Sequence, residues 1–282
     1  MGVTVITDST CDMSPAQARE HGIDVVPIWI CFGTERLRDG IDITRATFYQ
    51  RLAATKDLPR TEPPEASVFE AAFAKAVESG NEVVVPVVSM GLSEIYKNAA
   101  EAAAKFGPKV RVWDSKTLSG GLFLQAMVAG DMAKAGASAG DIVAALERGR
   151  SVQHGYLVSP DLSYLGRSGR VNKAIVALGT MMKVSPVLQV KDGAVESAAQ
   201  ARSYEKAQDL LVDMAVRNAG DVSKTRFAVG HTHAPELAEK IAETLKAKLG
   251  IPAKSFTLYE GGPTVAVNGG PGSLAAFFTS GM

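Results

Sequence analysis

Val3-Thr4-Val5-Ile6-Thr7-Asp8-Ser9-Thr10 decides how the chain is read: a short β-branched run stops at a hydroxyl-rich loop, with a helical pattern behind it. The arrangement recurs twice. The run over 83–88 ends at Ser89-Met90-Gly91-Leu92-Ser93, and that over 110–113 ends at Asp114-Ser115-Lys116. Runs this short, each followed by a helical stretch, read as strands of a parallel sheet buried on both faces. Such sheets bind ligands beyond their carboxyl ends, so the three loops are predicted to converge on one site. Ser and Thr offer neutral donors and acceptors, and helix starts offer free N–H groups, which suits a small polar or anionic head group. Any one loop alone reads more simply as a helix cap. Their repetition sets a ligand site level with capping, and it makes Ser89, Gly91 and Leu92 candidate contacts.

Working outward, strands are expected over 3–6, 24–30, 82–88 and 109–113. Helices are expected over 14–21, 44–53, 67–79, 93–104, 121–135 and 139–150. Ser14-Pro15 is a cap followed by proline at the first helical position, and Ser67 with Glu70 reads as a capping box. This alternation predicts an α/β domain over 1–151 with a mainly parallel sheet flanked by helices. From about Val152 the rhythm changes. A strand over 154–158, a short helix over 161–165, the loop Gly166-Arg167-Ser168-Gly169-Arg170 and an apolar helix over 173–182 open a second domain. Runs over 184–190 and 194–201 flank Lys191-Asp192-Gly193, a hairpin signal. Helices over 204–218 and 235–249 and strands over 226–230, 255–258 and 264–267 complete an α+β domain over 152–282 with a mixed or antiparallel sheet. A ligand cleft is expected between the two domains.

At 282 residues, 46% hydrophobic and 21% charged, the chain has the composition of a well-packed globular protein. Lys+Arg and Asp+Glu number 30 each, so no net charge draws it to nucleic acid or to an anionic membrane. Cys11 and Cys31 form no metal-type cluster, which suits a reducing compartment. The sequence begins in a strand without a secretory leader, and no apolar run approaches the ~20 residues that span a bilayer. A cytoplasmic protein without stable membrane insertion is expected.

Several chemistries find no support. There is neither a Gly-x-x-x-x-Gly-Lys-Ser/Thr loop nor a Gly-x-Gly-x-x-Gly turn after the first strand, and no Gly-x-Ser-x-Gly elbow. Asp8 at a strand end imitates a phosphoryl-accepting aspartate, but Thr10 stands where a second aspartate is usual, so a loop-organising carboxylate is the simpler reading. His231 and His233 follow a strand as a metal pair does, and Glu236 and Glu239 lie on the next helix, yet no Cys or Asp completes a shell and a loop or capping pair is the simpler reading. No metal ligand, catalytic residue or cofactor is assigned.

Taken together, Ile6-Thr7-Asp8-Ser9-Thr10, Thr61 before Pro63-Pro64, Leu92-Ser93 with Tyr96, Asp114-Ser115-Lys116, Gly169-Arg170-Val171 and Gly270-Pro271-Gly272 resemble the DegV family. Order and spacing match over nearly the whole chain. The resemblance implies a two-domain, non-catalytic lipid-binding protein that holds one long-chain fatty acid, such as palmitate or oleate, between its domains. It also implies a separate fatty acid kinase partner that converts the bound acid to an acyl phosphate. By the same resemblance the carboxylate falls to Thr61 and Ser93, helped by Asn268, while Arg170 and Arg202 stand near the pocket mouth, where they meet a phosphate or the kinase. Ile28, Ile30, Phe123, Ile175, Leu178 and Met182 are candidates for the tail.

This chain departs from the family pattern in three places. Glu94-Ile95 replaces Gly-Thr after the serine, Glu62 replaces Ser after the threonine, and Asn268 replaces a histidine before the Gly-Pro-Gly turn. Either glutamate pointing inward would repel a carboxylate. The alternatives are a binder of a different amphiphile and a small-molecule enzyme, acting on a phosphate or hydroxy metabolite, with Asp8 and His231 or His233 as acid and base.

Overall fold

The computed structural model describes residues 2–55, 57–171, 184–251 and 255–280. The elements run β1 (Val3–Asp8), α1 (Pro15–His21), β2 (Ile23–Val26), β3 (Trp29–Phe32), β4 (Glu35–Arg38), α2 (Arg45–Ala54), β5 (Arg60–Glu62), α3 (Ala66–Glu78), β6 (Glu82–Val87), α4 (Ile95–Ala103), β7 (Val110–Asp114), α5 (Gly120–Lys134) and α6 (Ala139–Ser151). There follow β8 (His154–Val158), α7 (Leu162–Ser168), β9 (Ser185–Lys191), β10 (Ala194–Ala201), α8 (Tyr204–Asn218), β11 (Thr225–His231), α9 (Pro235–Leu249), β12 (Phe256–Glu260), α10 (Pro263–Gly269) and β13 (Leu274–Ser280).

The result is a two-domain α/β fold. The expected parallel sheet forms from the β-branched runs in the order β2-β1-β6-β7, every pair parallel. Helices α3 and α4 pack together and lie on the connections that lead into β6 and from β6 to β7, while α5 and α6 pack together on the connection from β7 to the second sheet. A second sheet of six strands, order β10-β9-β8-β13-β11-β12, is antiparallel except for β11 with β12. Period-two alternation sorts its side chains. Phe227, Val229, Leu274, Ala276 and Phe278 pack under α8 and α9, while Ala228, Ala275 and Phe277 join the core of the parallel sheet.

Helix α5 explains how the sheets are held together. Eleven consecutive residues, Gly120–Gly130, are buried, so the helix has no solvent-facing stripe and serves as core for both sheets. Gly120, Gly155 and Gly230 leave room for two rings at this junction: a Cβ on any of them would lie within 2.7 Å of the Tyr259 or Phe277 side chain.

Four local expectations are corrected. The strand expected over 24–30 breaks at Pro27, whose missing N–H cannot continue a ladder; β2 stays in the parallel sheet and β3 enters a small antiparallel sheet, order β4-β3-β5. The run over 264–267 is helical rather than a strand, because Gly262-Pro263 supplies an N-cap and a proline at the first helical position. The strand at 274–280 was not anticipated, although it is central in the six-stranded sheet. Helix α3 starts with Glu65 as its N-cap and no side-chain cap, so Ser67 and Glu70 form no capping box. The Glu65 carboxylate instead meets Trp29 Nε1 at 3.0 Å and Arg36 Nη2 at 2.6 Å.

Other local signals hold. Ser14 caps α1 reciprocally with Gln17, and Asp192 (φ 49°) with Gly193 (φ 83°) makes the two-residue hairpin turn between β9 and β10. The short helix α7 extends through Ser168, so most of the expected glycine–arginine loop is helical. The apolar helix expected over 173–182 lies outside the described residues.

Candidate functional site

Strand order in the parallel sheet reverses between β1 and β6: the chain moves one way from β1 to β2 and the other way to β6 and β7. The crevice at the carboxyl ends of that pair is where such sheets take ligands. Asp8, at the end of β1, is fully buried and ties the crevice shut from below. Its Oδ2 accepts the Val88 N–H at 2.8 Å, and its Oδ1 accepts the backbone N–H of Thr10 at 2.9 Å and the Thr10 hydroxyl. Burial raises its pKa and these donors oppose the rise. Asp8 organises the loop and does not line the cavity above it.

That cavity measures about 1100 Å³ with its open mouth included. Thr10, Val88, Leu92 and Ser93 enter it from the parallel sheet, Ile28, Thr61 and Glu62 from the small sheet, and Leu157, Leu188 and Ala275 from the six-stranded sheet. Helix α10 supplies Thr264, Val265 and Asn268. Alternation along the six-stranded sheet, which the sequence carries as period two, is the signal that could have found its contribution.

The hydroxyls separate into two sets. Thr10 donates to Asp8, Ser119 to Asp12, Ser159 and Ser273 to Gly269 O, Ser168 to Leu165 O, Thr232 to Gly270 O and Thr264 to Asp39. Among the described residues, only Thr61 and Ser93 line the cavity with hydroxyls that donate to no protein acceptor. Ser93 Oγ merely accepts the Ile95 N–H at 3.4 Å.

Arg170 lines the same cavity. Its guanidinium meets Ser168 O at 2.9 Å, Asn268 Oδ1 at 3.0 Å and Leu92 O at 3.4 Å, all neutral acceptors. Desolvation pulls its pKa down. Asn268 is oriented by its own bond, Nδ2 donating to Thr264 O at 2.7 Å, so its oxygen faces Arg170.

The two glutamates that replace family residues differ: Glu62 lines the cavity and Glu94 does not. Strand alternation turns Arg60 and Glu62 away from Thr61. The Glu62 carboxylate is paired on both sides, with Arg60 Nη2 at 2.5 Å and Arg36 Nε at 3.0 Å. Glu94 is exposed at the start of α4 and does not line the cavity.

Not every expected contact falls here. Ser89 donates to Gly193 O at 2.7 Å, and a Cβ on Gly91 would approach that same oxygen to 2.9 Å; both serve the packing of the β9–β10 turn rather than the cavity. Asp114, Ser115 and Lys116 do not join the convergence. Asp114 Oδ1 accepts the Met90 and Lys116 N–H groups, and Ser115 and Lys116 line a separate polar cleft. Arg202 is exposed ahead of α8 and lines neither. Of the tail candidates, Ile28 lines the cavity, Ile30 and Phe123 are fully buried core, and Ile175, Leu178 and Met182 lie outside the described residues.

The histidines part company. His231 lines the cavity, its Nδ1 accepting the Ala234 N–H at 3.3 Å, and burial lowers its pKa toward the neutral ring. His233 is exposed and stacks on Tyr49 at 4.5 Å. Among the described residues no group of His, Cys, Asp and Glu could hold a metal ion, and no helix is long and apolar enough to cross a membrane.

Beneath the cavity lie two further buried carboxylates. Asp12 accepts the Gly262 N–H at 2.7 Å and the Ser119 hydroxyl at 2.5 Å, and desolvation pushes its pKa up to about 7. A carboxyl whose folded pKa lies above its unfolded value binds protons preferentially when folded, so its charged form costs stability above that pKa. Relief of this penalty on acidification is measurable: taking the pH from about 8 to about 6 is expected to stabilise the protein through Asp12 by about 1 kcal/mol, read by denaturant unfolding. Asp12→Asn should lose that gain; an unchanged pH slope in the variant would contradict the assignment.

Comparison with known proteins agrees with this architecture. The model of the family described as "Uncharacterised protein, DegV family" matches residues 2–281. A DegV domain-containing protein of Mycobacterium tuberculosis is 33% identical over 278 residues, covering 97% of this chain and 96% of its own. One from Deinococcus radiodurans is 30% identical over 275 residues, covering 97% of each. Among solved structures, a fatty-acid-binding DegV family protein of Thermus thermophilus superposes with TM-score 0.92 at 27% identity, over 99% of this chain and 100% of the other. A stearic-acid-binding protein of Eubacterium ventriosum has the same fold, with TM-score 0.90 at 24% identity, over 99% and 98% of the two chains. With the family pattern matched from end to end, this chain belongs to the DegV family.

Proposed function

We propose that the protein is a non-catalytic carrier that binds one long-chain fatty acid, such as palmitate or oleate, in the cleft between domains spanning 1–151 and 152–282. The observation that carries this reading is the pair of uncommitted hydroxyls, Thr61 and Ser93, in a cavity whose other Ser and Thr hydroxyls are consumed internally. A carboxylate needs donors, and these two are available beside the cation of Arg170. The tail then lies on Ile28, Val88, Leu157, Leu188 and Ala275. At about 0.8 kcal/mol per CH₂ removed from water, a long saturated chain gains on the order of 10 kcal/mol before association costs. The fatty-acid-binding relative of Thermus thermophilus supports the same ligand class.

The carboxylate end sits with Arg170 at the mouth, so a separate kinase has access to it, and the anionic acyl phosphate it forms keeps a cation partner. Arg202 belongs to the surface that meets the kinase. Neither glutamate obstructs this: Glu62 is neutralised by two arginines and Glu94 faces solvent.

The test is a titration of delipidated protein with oleate. Saturable binding of one oleate per chain is expected; no uptake at oleate concentrations up to its solubility would contradict the proposal.

A further inference from the structure

The geometry points to Asp39, a residue outside the cavity lining, as the positioning residue of the head-group site: it clamps the first turn of α10 and thereby fixes the Asn268 amide that holds Arg170. The inference rests on the fatty-acid reading above and extends it to a residue that never touches the ligand.

Asp39 is 6% exposed and lies just after β4, in the half of the chain that carries the small sheet. Its Oδ2 alone receives three donors: the Ser9 hydroxyl at 3.0 Å, the Thr264 N–H at 3.3 Å and the Thr264 hydroxyl at 2.5 Å. Burial raises the Asp39 pKa and these donors oppose the rise, since an ionised carboxylate accepts from three donors more strongly than a neutral amide oxygen does. Thr264 N–H is one of the free amides of a helix start, which a carboxylate satisfies well. Asp12 takes the preceding amide, Gly262 N–H, at 2.7 Å. Helix α10 belongs to the second half of the sequence, yet its start is held by two acids from the first. Its buried face, Ala266 and Val267, packs with Ile30 and Phe48.

From Thr264 the chain of bonds continues one helical turn. Thr264 O accepts Asn268 Nδ2 at 2.7 Å, and Asn268 Oδ1 accepts Arg170 Nη1 at 3.0 Å. Residues four apart share a helix face, so Thr264 and Asn268 both front the cavity. Asp39 also holds a second lining residue: Ser9 Oγ, which donates to its carboxylate, accepts the Ile28 N–H at 3.1 Å, and Asp39 N–H donates to Ile28 O at 2.9 Å. A single buried residue thus links Ile28 to the helix that carries Asn268 and, through it, to Arg170.

Two ligands with one tail separate positioning of the cation from mere support of the cavity. Asp39→Asn is expected to weaken oleate binding about tenfold and oleyl alcohol binding less than about twofold, because only the carboxylate uses Arg170. Thr264→Val, which removes the hydroxyl donor at similar volume, should give the same selective loss. Equal losses for both ligands, or no loss, would overturn the assignment. A readout without ligand keeps the two proposals apart: the NMR resonance of the Asn268 side-chain amide should move in Asp39→Asn, and an unmoved resonance defeats the clamp. Wild-type protein that takes up neither oleate nor oleyl alcohol would defeat the fatty-acid reading, and the amide resonance would then still decide the clamp.

Discussion

Thr61→Ala combined with Ser93→Ala is expected to raise the Kd for oleate roughly 100-fold, a loss of about 3 kcal/mol for two donors to a charged group. The unfolding free energy should stay within about 1 kcal/mol of wild type, because neither hydroxyl serves a protein acceptor. Ser93 gives up only a long bond from Ile95 N–H, and Thr61 keeps its backbone pairing with Ile30 in the small sheet. Isothermal titration with delipidated protein, paired with denaturant unfolding, reads both quantities. Unchanged affinity in the double variant would move the carboxylate away from these residues, and an equal fall in affinity and stability would assign them to the fold.

Gly230→Ala is the second large effect, and it falls on the fold. An added Cβ would stand 2.2 Å from Tyr259 Cζ and 2.4 Å from its hydroxyl. The ring cannot retreat easily. It is 5% exposed and stacks on Phe123 at 5.7 Å, and its hydroxyl meets Ser119 Oγ at 2.8 Å and accepts the Gly120 N–H at 2.9 Å. Overpacking here should cost about 3 kcal/mol and lower the melting temperature by roughly 10 °C. Gly230 and Tyr259 also line the cavity, so oleate affinity should fall with stability. A melting temperature within about 2 °C of wild type would show that the junction of the two sheets is looser than these contacts require.

What the sequence made legible is what depends on local pattern. Short β-branched runs before hydroxyl-rich loops specify buried parallel strands, and β1, β6 and β7 formed where the runs lie. Asp192-Gly193 specified a turn because both residues adopt positive φ. Apolarity without its boundaries misled: Pro27 divides a run that reads as one strand, and Gly262-Pro263 starts a helix in a run whose valines read as a strand. The apolar run Leu274–Ser280 carries no local mark of its central place in the sheet, which follows from partners distant in sequence.

The site was legible to a similar extent. The resemblance named Thr61, Ser93, Asn268 and Arg170, and all four line one cavity. It gave no sign of which hydroxyls are already committed, since Thr10, Ser119 and Thr264 are the same residue types and only their buried acceptors remove them from the count. Nor did the sequence indicate Asp39, whose partners Ser9 and Thr264 lie far from it along the chain. Glu62 and Glu94 posed a threat to a carboxylate on paper. Arg36 and Arg60 neutralise the first, and the surface position of the second removes it.

The most direct test of the central claim is mass spectrometry of the organic extract of freshly purified, gently denatured protein. Close to one fatty acid of roughly 14 to 18 carbons per chain is expected, each buried CH₂ adding to its retention. An extract without lipid, from protein that also fails to take up added fatty acid, would contradict it.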